Sequence, residues 1–189
     1  MSQARKPRAD AQRNRERLMA AAKAGFAQTG PEVSLDEIAR RAEVGIGTLY
    51  RHFPTRDALV EAVYRHEVEQ LGAAAAQLAE TLPPADALHQ WLRLLIDYIA
   101  TKKVIAAAVD AMASGGSDLY AASTSIITEA MKALVKKAAD SGGIRPDADP
   151  KDLLRAVAGF AYGNAAPGWQ ASALRLIDLL MDGLRTPRV

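Results

Sequence analysis

The sequence predicts an all-α protein, and three observations support this fold class. Apolar residues in the long segments recur at the helical spacing of three and four residues, and no segment alternates with the period of two that marks a strand. Alanine is abundant while aromatic residues make up only 5% of the chain, a composition that suits packed helices. Clusters of Gly and Pro separate the helical segments.

The composition also excludes several classes of protein. The 189-residue chain has no cysteine, which excludes a disulfide framework and a cysteine-based metal site or nucleophile. No apolar stretch approaches the length of a membrane span without a charge, and the basic N-terminus does not resemble a signal peptide. His66 stands at helical spacing from Glu69 and Gln70, but no third metal ligand is in view. No nucleophile or phosphate-binding motif is present. We therefore expect a cytoplasmic protein without enzymatic activity, metal or cofactor.

Positive charge is concentrated at the start of the chain. Residues 1–65 contain 12 Lys/Arg and 8 Asp/Glu, which gives +4, whereas the remainder contains 12 and 14, which gives −2. Residues 1–9 are predicted to be a basic, disordered arm. By itself such an arm is more often a solvated tail. Beside a DNA-binding motif such as the one described below, the alternative that it follows phosphates or enters a minor groove is equally supported.

The first long helix is predicted from Asp10 to Thr29. Leu18, Ala22 and Phe26 stand at i, i+4 and i+8 and give this segment an apolar face. The helix ends at Gly30-Pro31, because glycine favours the C-terminal cap and proline cannot continue the helix.

Two short helices follow, and their spacing predicts a helix-turn-helix. Ser34 and Glu37 form a capping box that begins the first helix, which runs to about Ala42. Glu43-Val44-Gly45 interrupts the pattern, and the second helix extends from about Gly47 to Phe53. In a DNA-binding helix-turn-helix, the second helix enters the major groove.

The second short helix has one apolar face and one polar face. At 100° per residue, Leu49 and Phe53 lie together and are predicted to be buried. The opposite face and its flanks carry groups able to contact phosphates or base edges, with a glycine that permits close backbone approach: Gly47, Thr48, Tyr50, Arg51 and His52. An ordinary two-helix corner with a solvated polar face would show the same periodicity, and periodicity alone modestly favours that alternative.

The segment from Ser34 to Tyr64, with T-L-Y-R-H-F-P-T-R-D-A-L at Thr48 to Leu59, resembles the N-terminal domain of the tetracycline-repressor (TetR) family of transcription regulators. The similarity extends back to G-F-A-Q-T-G at residues 25–30. It implies a three-helix DNA-binding domain, here residues 10–65, joined to a helical ligand-binding and dimerisation domain, here residues 66–189. It also implies that Thr48, Tyr50, His52 and Arg56 meet DNA. We expect Tyr50, His52 and Arg56 to contact phosphates, with Thr48 and Arg51 closest to the base edges. Arg40 and Arg41 complete the candidate DNA contacts.

One position departs from the family pattern. Glu43 stands where the family usually has a glycine in the turn. A residue other than glycine in a left-handed conformation costs roughly 1 kcal/mol, so we expect either strain or a different turn shape.

The rest of the chain is predicted to be a series of helices. Thr55 caps a long helix that reaches about Glu80, and Pro83-Pro84 marks a boundary. Five further helical segments are predicted at about 86–102, 104–113, 118–140, 150–165 and 170–184.

The middle helices are expected, from the family resemblance, to form the pocket for a small-molecule effector. Trp91 and Tyr98 lie seven residues apart on roughly one face, and Asp110 interrupts an apolar run. A carboxylate there could bind a polar ligand, although an aspartate facing water is the more common arrangement. Tyr162 and Asn164 are further candidates, with less support.

The last two helices are candidates for a dimer interface. Their apolar faces are wider than one neighbouring helix can cover, and the family resemblance implies a four-helix interface with a second subunit. Ordinary core packing within the subunit is the alternative. The predicted interface residues are Leu153, Val157, Gly159, Phe160, Gly163, Leu174, Ile177, Leu180, Met181 and Leu184.

Together these features predict a dimeric transcription regulator that responds to a ligand. We expect a repressor that binds double-stranded, near-palindromic operator DNA and is released by a small-molecule effector. The alternative is a helical ligand-binding or adaptor protein without DNA-binding activity.

Overall fold

The computed structural model describes residues 5–113, 118–163 and 167–185, with side chains described for 9–106, 121–163 and 167–185. The fold in these ranges is all-α, which confirms the predicted class, and the one β-type pairing found there is an isolated bridge between Ile144 and Arg185. The helices are α1 (Arg5–Thr29), α2 (Leu35–Arg41), α3 (Ile46–His52), α4 (Arg56–Thr81), α5 (Pro84–Ala113), α6 (Asp118–Asp140), α7 (Pro150–Tyr162) and α8 (Trp169–Leu184).

The helices divide into two compact units. The first contains α1, α2, α3, the start of α4 through His66, and the end of α5 from Thr101. The second contains α4 from Glu67, α5 through Ala100, and α6, α7 and α8. The predicted division of the chain into domains at residues 65 and 66 falls close to the change of unit within α4, and it stays a prediction.

The first unit is built on α1, which packs against both α2 and α3. Leu18, Ala22 and Phe26 are buried, as their spacing predicts. The helix ends as expected, because Gly30 takes a positive φ of 88° and its N–H donates to the Phe26 carbonyl at 2.9 Å. Its start differs from the prediction, however. Helix α1 begins at Arg5 rather than at Asp10, so residues 5–9 of the expected disordered arm are helical.

Side-chain caps begin α2 and α4 at the predicted positions. The Ser34 hydroxyl accepts the Glu37 N–H at 3.1 Å, and the Thr55 hydroxyl accepts the Ala58 N–H at 3.1 Å. Helix α2 also packs against α3. These contacts hold two helices of 7 residues each, a length at which an isolated helix is unstable in water.

Two helix predictions beyond Pro83 are wrong. The segments predicted separately at 86–102 and 104–113 form the single helix α5. The sequence between them, Lys102-Lys103-Val104, contains neither glycine nor proline, so nothing removes a backbone hydrogen bond or favours a turn. Helix α7 ends at Tyr162 and not at residue 165, with Gly163 as its cap.

The second unit is held together by packing and by a few specific hydrogen bonds. Helix α6 packs on α7, and α7 packs on α8. The buried Trp91 indole N–H donates to the Leu71 carbonyl at 2.9 Å and thereby ties α5 to α4. Asp149 caps α7 and Pro150 occupies its first turn, as predicted.

Helices α5 and α8 are joined by a carboxylate that two side chains share. Asp178 lies 2.7 Å from His89 Nε2 and 2.8 Å from Arg93 Nη1. The hydrogen bond with His89, assisted by the charge of Arg93, holds the pKa of the Asp178 carboxyl below its ordinary value.

We predict that the second unit loses stability at acid pH as Asp178 becomes protonated. Its lowered pKa stabilises the fold above the ordinary carboxyl pKa, near 4, and this contribution is lost as the pH falls through the folded-state value. The free energy of unfolding of Asp178→Asn should therefore be lower than that of the wild type at pH 6, and the difference should shrink below about pH 4. Urea unfolding at a series of pH values measures this difference.

The control is Asp182→Asn, which changes an exposed carboxylate on the same helix that has no ion pair with any described side chain. A difference between wild type and Asp178→Asn that stays constant from pH 6 to pH 3 would contradict the prediction.

Candidate nucleic-acid interface

The turn between α2 and α3 is a tight C-terminal cap. The Glu43 N–H donates to the Arg40 carbonyl at 3.1 Å, and the Val44 N–H donates to the Ala39 carbonyl at 3.0 Å. This pair of bonds is the Schellman arrangement, which requires a left-handed residue at the position of Glu43. Glu43 has φ 52°, the one positive φ at a residue other than glycine among the described residues.

The expected strain at Glu43 is therefore present, and the turn keeps its ordinary shape. The Glu43 carboxylate pairs with Arg17 of α1 at 2.5 Å. Both side chains are largely exposed, so this ion pair contributes little stability.

Helix α3 has the two faces that its sequence predicts. Leu49 is fully buried and Phe53 is 2% exposed. On the other side Tyr50 is 49% exposed, Arg51 is exposed, and His52 is half-buried. The buried pair fixes the rotation of α3 about its axis, so the polar side chains point away from α1 and α2.

Thr48 and Arg51 act as a pair on this exposed face. Arg51 Nη2 donates to the Thr48 hydroxyl at 3.0 Å, and Arg51 Nε donates to the Gly47 carbonyl at 3.2 Å. The guanidinium is thus held against its own helix while remaining exposed, and it retains N–H groups able to donate elsewhere.

Arg40 and Arg41 of α2 are both bound to Glu37, but they differ in exposure. The side chain of Arg40 is 74% exposed, whereas that of Arg41 is 26% exposed and also donates to Gln28 at 2.7 Å. The hydrogen bonds from Arg40 and then from Arg41 hold the pKa of Glu37 below its usual value. Of the two arginines, only Arg40 presents a largely exposed guanidinium.

Arg56, predicted to contact a phosphate, is turned into the protein. Its Nη1 donates to the Val33 carbonyl at 2.7 Å, and its guanidinium carbon lies 5.9 Å from the centre of the Phe26 ring. Its Nη2 is buried and has no hydrogen-bond partner among the described residues.

Basic residues of α1 also lie near this site. The Arg15 guanidinium carbon is 5.0 Å from the centre of the Phe53 ring, within the range of a cation–π contact. Arg13 pairs with Asp10 within α1. The sequence did not indicate either the contact of Arg15 with Phe53, the residue that caps α3, or that of Arg17 with the turn, because both partners are distant along the chain.

The predicted effector residues whose side chains are described differ in exposure. Trp91 and Tyr98 are buried, and the Trp91 N–H is already bonded to a backbone carbonyl. Tyr162 is 53% exposed. The side chain of Asp110 and the whole of Asn164 lie outside the described residues.

Two open grooves of the second unit have the size of a ligand site. One of about 620 Å³ is lined by Pro83, Asp86, Gly142 and Arg185, where Asp86 and Arg185 form an ion pair at 2.6 Å. The other, of about 460 Å³, runs between α4 and α6 and is lined mainly by alanines, with Ile126, Leu134 and Lys137. Neither groove includes Trp91, Tyr98 or Tyr162.

The predicted interface residues on α7 and α8 fall into two groups. Leu153, Val157, Ile177, Met181 and Leu184 are buried within the chain itself. Phe160, Leu174 and Leu180 are half-buried, while Gly159 and Gly163 are exposed.

Two exposed leucines of α8 are absent from the predicted interface, namely Leu176 (37% exposed) and Leu179 (67% exposed). At 100° per residue they lie with Gly183 on a second apolar face, about a third of a turn from the buried one. The signal was present, because leucine and isoleucine occur on nearly every side of this helix.

The described part of the chain contains no group of His, Cys, Asp and Glu that could hold a metal ion, and none of its helices is long and apolar enough to cross a membrane. An exposed polar helix fixed by two buried apolar residues, after a short helix and a tight turn, defines the class: this is a helix-turn-helix protein.

Comparison with known proteins gives the family. Residues 18–63 match the bacterial regulatory proteins of the tetR family, and residues 83–186 match the C-terminal domain of SbtR-like transcriptional regulators. The chain therefore belongs to the TetR family of transcriptional regulators. It is a DNA-binding regulator and not an enzyme.

Individual relatives agree with this assignment. A TetR transcriptional regulator of Streptomyces coelicolor is 44% identical, with a TM-score of 0.83 over 92% of this chain and 99% of that chain. A TetR regulator of Mycobacterium vanbaalenii is 34% identical, with a TM-score of 0.75 over 95% and 99%. An HTH-type transcriptional repressor of Mycobacterium tuberculosis is 40% identical over 68 residues, which are 35% of this chain and about a third (34%) of the relative.

We predict that the strain at Glu43 is measurable. Glu43→Gly and Glu43→Ala both remove the carboxylate that pairs with Arg17, but only glycine removes the cost of the positive φ. The free energy of unfolding of Glu43→Gly should therefore be higher than that of Glu43→Ala by about 1 kcal/mol. Urea unfolding of the two variants measures the difference, and equal stabilities would show that this residue is not left-handed in solution.

Proposed function

We propose that this protein is a dimeric repressor that binds a near-palindromic operator through α3 and leaves it when a small molecule binds the second unit. The observation that supports DNA binding most directly is the exposed polar face of α3, held outward by the buried Leu49 and Phe53. The 40% identity of the N-terminal segment to a mycobacterial repressor supports the repressor role.

The exposed groups suit distinct contacts with DNA. Arg51 and Thr48, which are hydrogen-bonded to each other on one face of α3, are proposed to contact base edges. An arginine can bind guanine through two hydrogen bonds. Tyr50 and His52 flank them and suit phosphates. Gly47 is exposed with no atom near the position of a Cβ, so the backbone of α3 can approach the groove closely.

Arg40 adds an exposed cation on α2. Arg41, held by Glu37 and Gln28, is less available, although the sequence placed it among the contacts.

The experiment that tests the function is the selection of bound DNA from a fragmented genomic pool by the purified full-length protein. A recovered near-palindrome with half-sites about one helical turn, roughly 34 Å, apart would support the proposal. Recovery of no enriched sequence and no retarded DNA fragment would instead favour a helical adaptor without DNA-binding activity.

A second copy of the chain is proposed to pack on α7 and α8. The residues available for this contact are Phe160 and Gly159 on α7, and Leu176, Leu179 and Leu180 on α8. The five predicted interface residues that are buried serve the core of each subunit. A two-fold axis would pair these faces with themselves, which is the usual arrangement in dimers.

Effector binding is proposed for the second unit. The groove between α4 and α6 has a volume of about 460 Å³, within the range of small-ligand sites, and its alanine-rich lining suits an apolar molecule. The ligand must bind the DNA-free state more tightly, and DNA must weaken ligand binding by the same factor. Titration of ligand with and without operator tests this reciprocity, and equal affinities would refute control by that ligand.

We predict that Leu179→Asp yields monomers. Leu179 is 67% exposed in the isolated subunit, so aspartate should not disturb the fold, but in a dimer it would place an unpaired carboxylate in an apolar contact. The dimer dissociation constant, measured by sedimentation at micromolar concentration, should rise at least about 100-fold.

Two further variants serve as a control and as a second test of the proposed face. Leu94→Asp changes a leucine of α5 that is 39% exposed and should leave the dimer intact. Gly159→Leu should also weaken it, since nothing in the subunit lies near the added side chain, whereas a substitution at Gly163 would meet the Gly159 carbonyl oxygen at 2.6 Å and disturb α7 itself. A Leu179→Asp dimer as tight as wild type would contradict the proposed face.

We predict that Arg51 reads a base. Arg51→Ala should lose discrimination at one operator position by about 1–3 kcal/mol, because that is the value of a bidentate arginine–guanine pair. The measurement compares the affinities of wild type and variant for the operator, for single-base substitutions of it and for scrambled DNA.

Arg40→Ala is the matched control, an exposed arginine outside α3 that should weaken binding to all these DNAs alike. If Arg51→Ala also weakens operator and scrambled DNA equally, Arg51 is a backbone contact and the assignment is wrong.

A further inference from the structure

Arg56 is the first residue of α4, yet its side chain reaches two other elements of the first unit. Nη1 donates to the carbonyl of Val33 at 2.7 Å, in the segment between α1 and α2. The guanidinium also lies beside the buried ring of Phe26 on α1, with its carbon 5.9 Å from the ring centre. One side chain therefore joins the start of α4, the body of α1 and the approach to α2.

The hydrogen bond from Arg56 matters because of where its acceptor, the Val33 carbonyl, lies. Val33 is buried, and its methyl groups lie 3.3 Å from the point that a Cβ would occupy if Gly25 had one. Val33 also directly precedes Ser34, the residue that caps α2. A displacement of the Val33 carbonyl would move the first residue of the helix-turn-helix. Helix α3 follows α2 through a turn of fixed geometry, so its orientation depends on where α2 begins.

The burial of the guanidinium is inconsistent with a simple phosphate contact. Its Nη2 has lost water without gaining a partner among the described residues, which is unfavourable and persists only where the surrounding packing holds the group. To reach a phosphate, Arg56 would have to break its bond to Val33 and leave the Phe26 ring. Arg51 and Arg40, by contrast, are already exposed.

We propose that Arg56 is a positioning residue, which fixes the start of α4 to α1 and to the residue before α2, and through them sets the orientation of α3 on DNA. This inference rests on the proposed DNA binding. It replaces the phosphate contact that the sequence predicted for this residue.

The test is the salt dependence and specificity of DNA binding by Arg56→Met, measured on the selected operator and on scrambled DNA of equal length. Methionine removes the hydrogen bond and the charge but keeps an unbranched apolar stem. A positioning role predicts that operator affinity falls about tenfold or more, because a hydrogen bond to a charged group is lost. It also predicts that the ratio of operator to scrambled affinity narrows, and that the slope of log affinity against log salt is unchanged.

The slope of log affinity against log salt distinguishes a positioning role from a phosphate contact, because each phosphate that a protein cation neutralises adds about 0.9 to the magnitude of that slope. A phosphate contact at Arg56 in both subunits of the proposed dimer predicts a slope flattened by about two units, since two phosphate contacts are lost, and an equal loss of affinity on both DNAs. Either that result or a wild-type affinity for Arg56→Met would overturn the proposal.

Arg56→Lys is the second variant and serves if Arg56→Met does not fold. Lysine keeps the charge and binds phosphate well, but its ammonium lies nearer the backbone than Nη1 and has no planar group to lie on Phe26. Positioning predicts weakened operator binding with an unchanged slope. Wild-type operator affinity for Arg56→Lys would support the phosphate contact and overturn the proposal.

Val63→Ala separates positioning from general stability. Val63 is a buried residue of α4 beyond its first turn, and its truncation should lower the melting temperature but leave operator affinity intact when the protein is folded. An equal loss of operator affinity in Val63→Ala would overturn the positioning role. A wild-type protein that binds no selected DNA would instead refute the proposed function itself, before any variant is compared.

Discussion

The burial of Leu49 and Phe53 is the constraint on which the candidate interface depends. Helix α3 has only 7 residues and could not persist alone, so its apolar side must be held by α1 and α2. Once those two side chains are buried, helical geometry alone directs Tyr50 and Arg51 to the outside, with Thr48 half-buried. The polar face is thus a consequence of packing, and packing on α1 determines its orientation.

Local signals in the sequence predicted most of the helix boundaries because each depends on a few adjacent residues. The caps at Ser34 and Asp149 and the glycine stop at Gly30 are examples, since their hydrogen bonds join residues two to four apart. The predicted interruption at Lys103 is absent from α5, because no glycine or proline stands there to break a helix. The inward turn of Arg56 could not be predicted, because its partner Val33 is 23 residues away.

The proposed dimer face illustrates a different limit of sequence patterns. Helix α8 carries leucine or isoleucine on most of its circumference, so periodicity favours contacts on more than one side but does not indicate which residues face which neighbour. Burial within the subunit resolves this ambiguity. Ile177 and Met181 are fully buried, whereas Leu179 is mostly exposed, and only the exposed set can contribute apolar area to a second copy.

The charge count of the N-terminal segment overstates the cations available to DNA. An exposed pair such as Arg40 with Glu37 is weak in water, so a phosphate can replace the carboxylate at little cost. Arg41 and Arg56 differ, because their half-buried guanidinium groups make contacts that a phosphate could replace only after the surrounding packing had opened. The basic residues of the first unit therefore divide into two groups. Arg41 and Arg56 connect α1, α2 and α4, and the exposed remainder is available for electrostatic attraction to DNA.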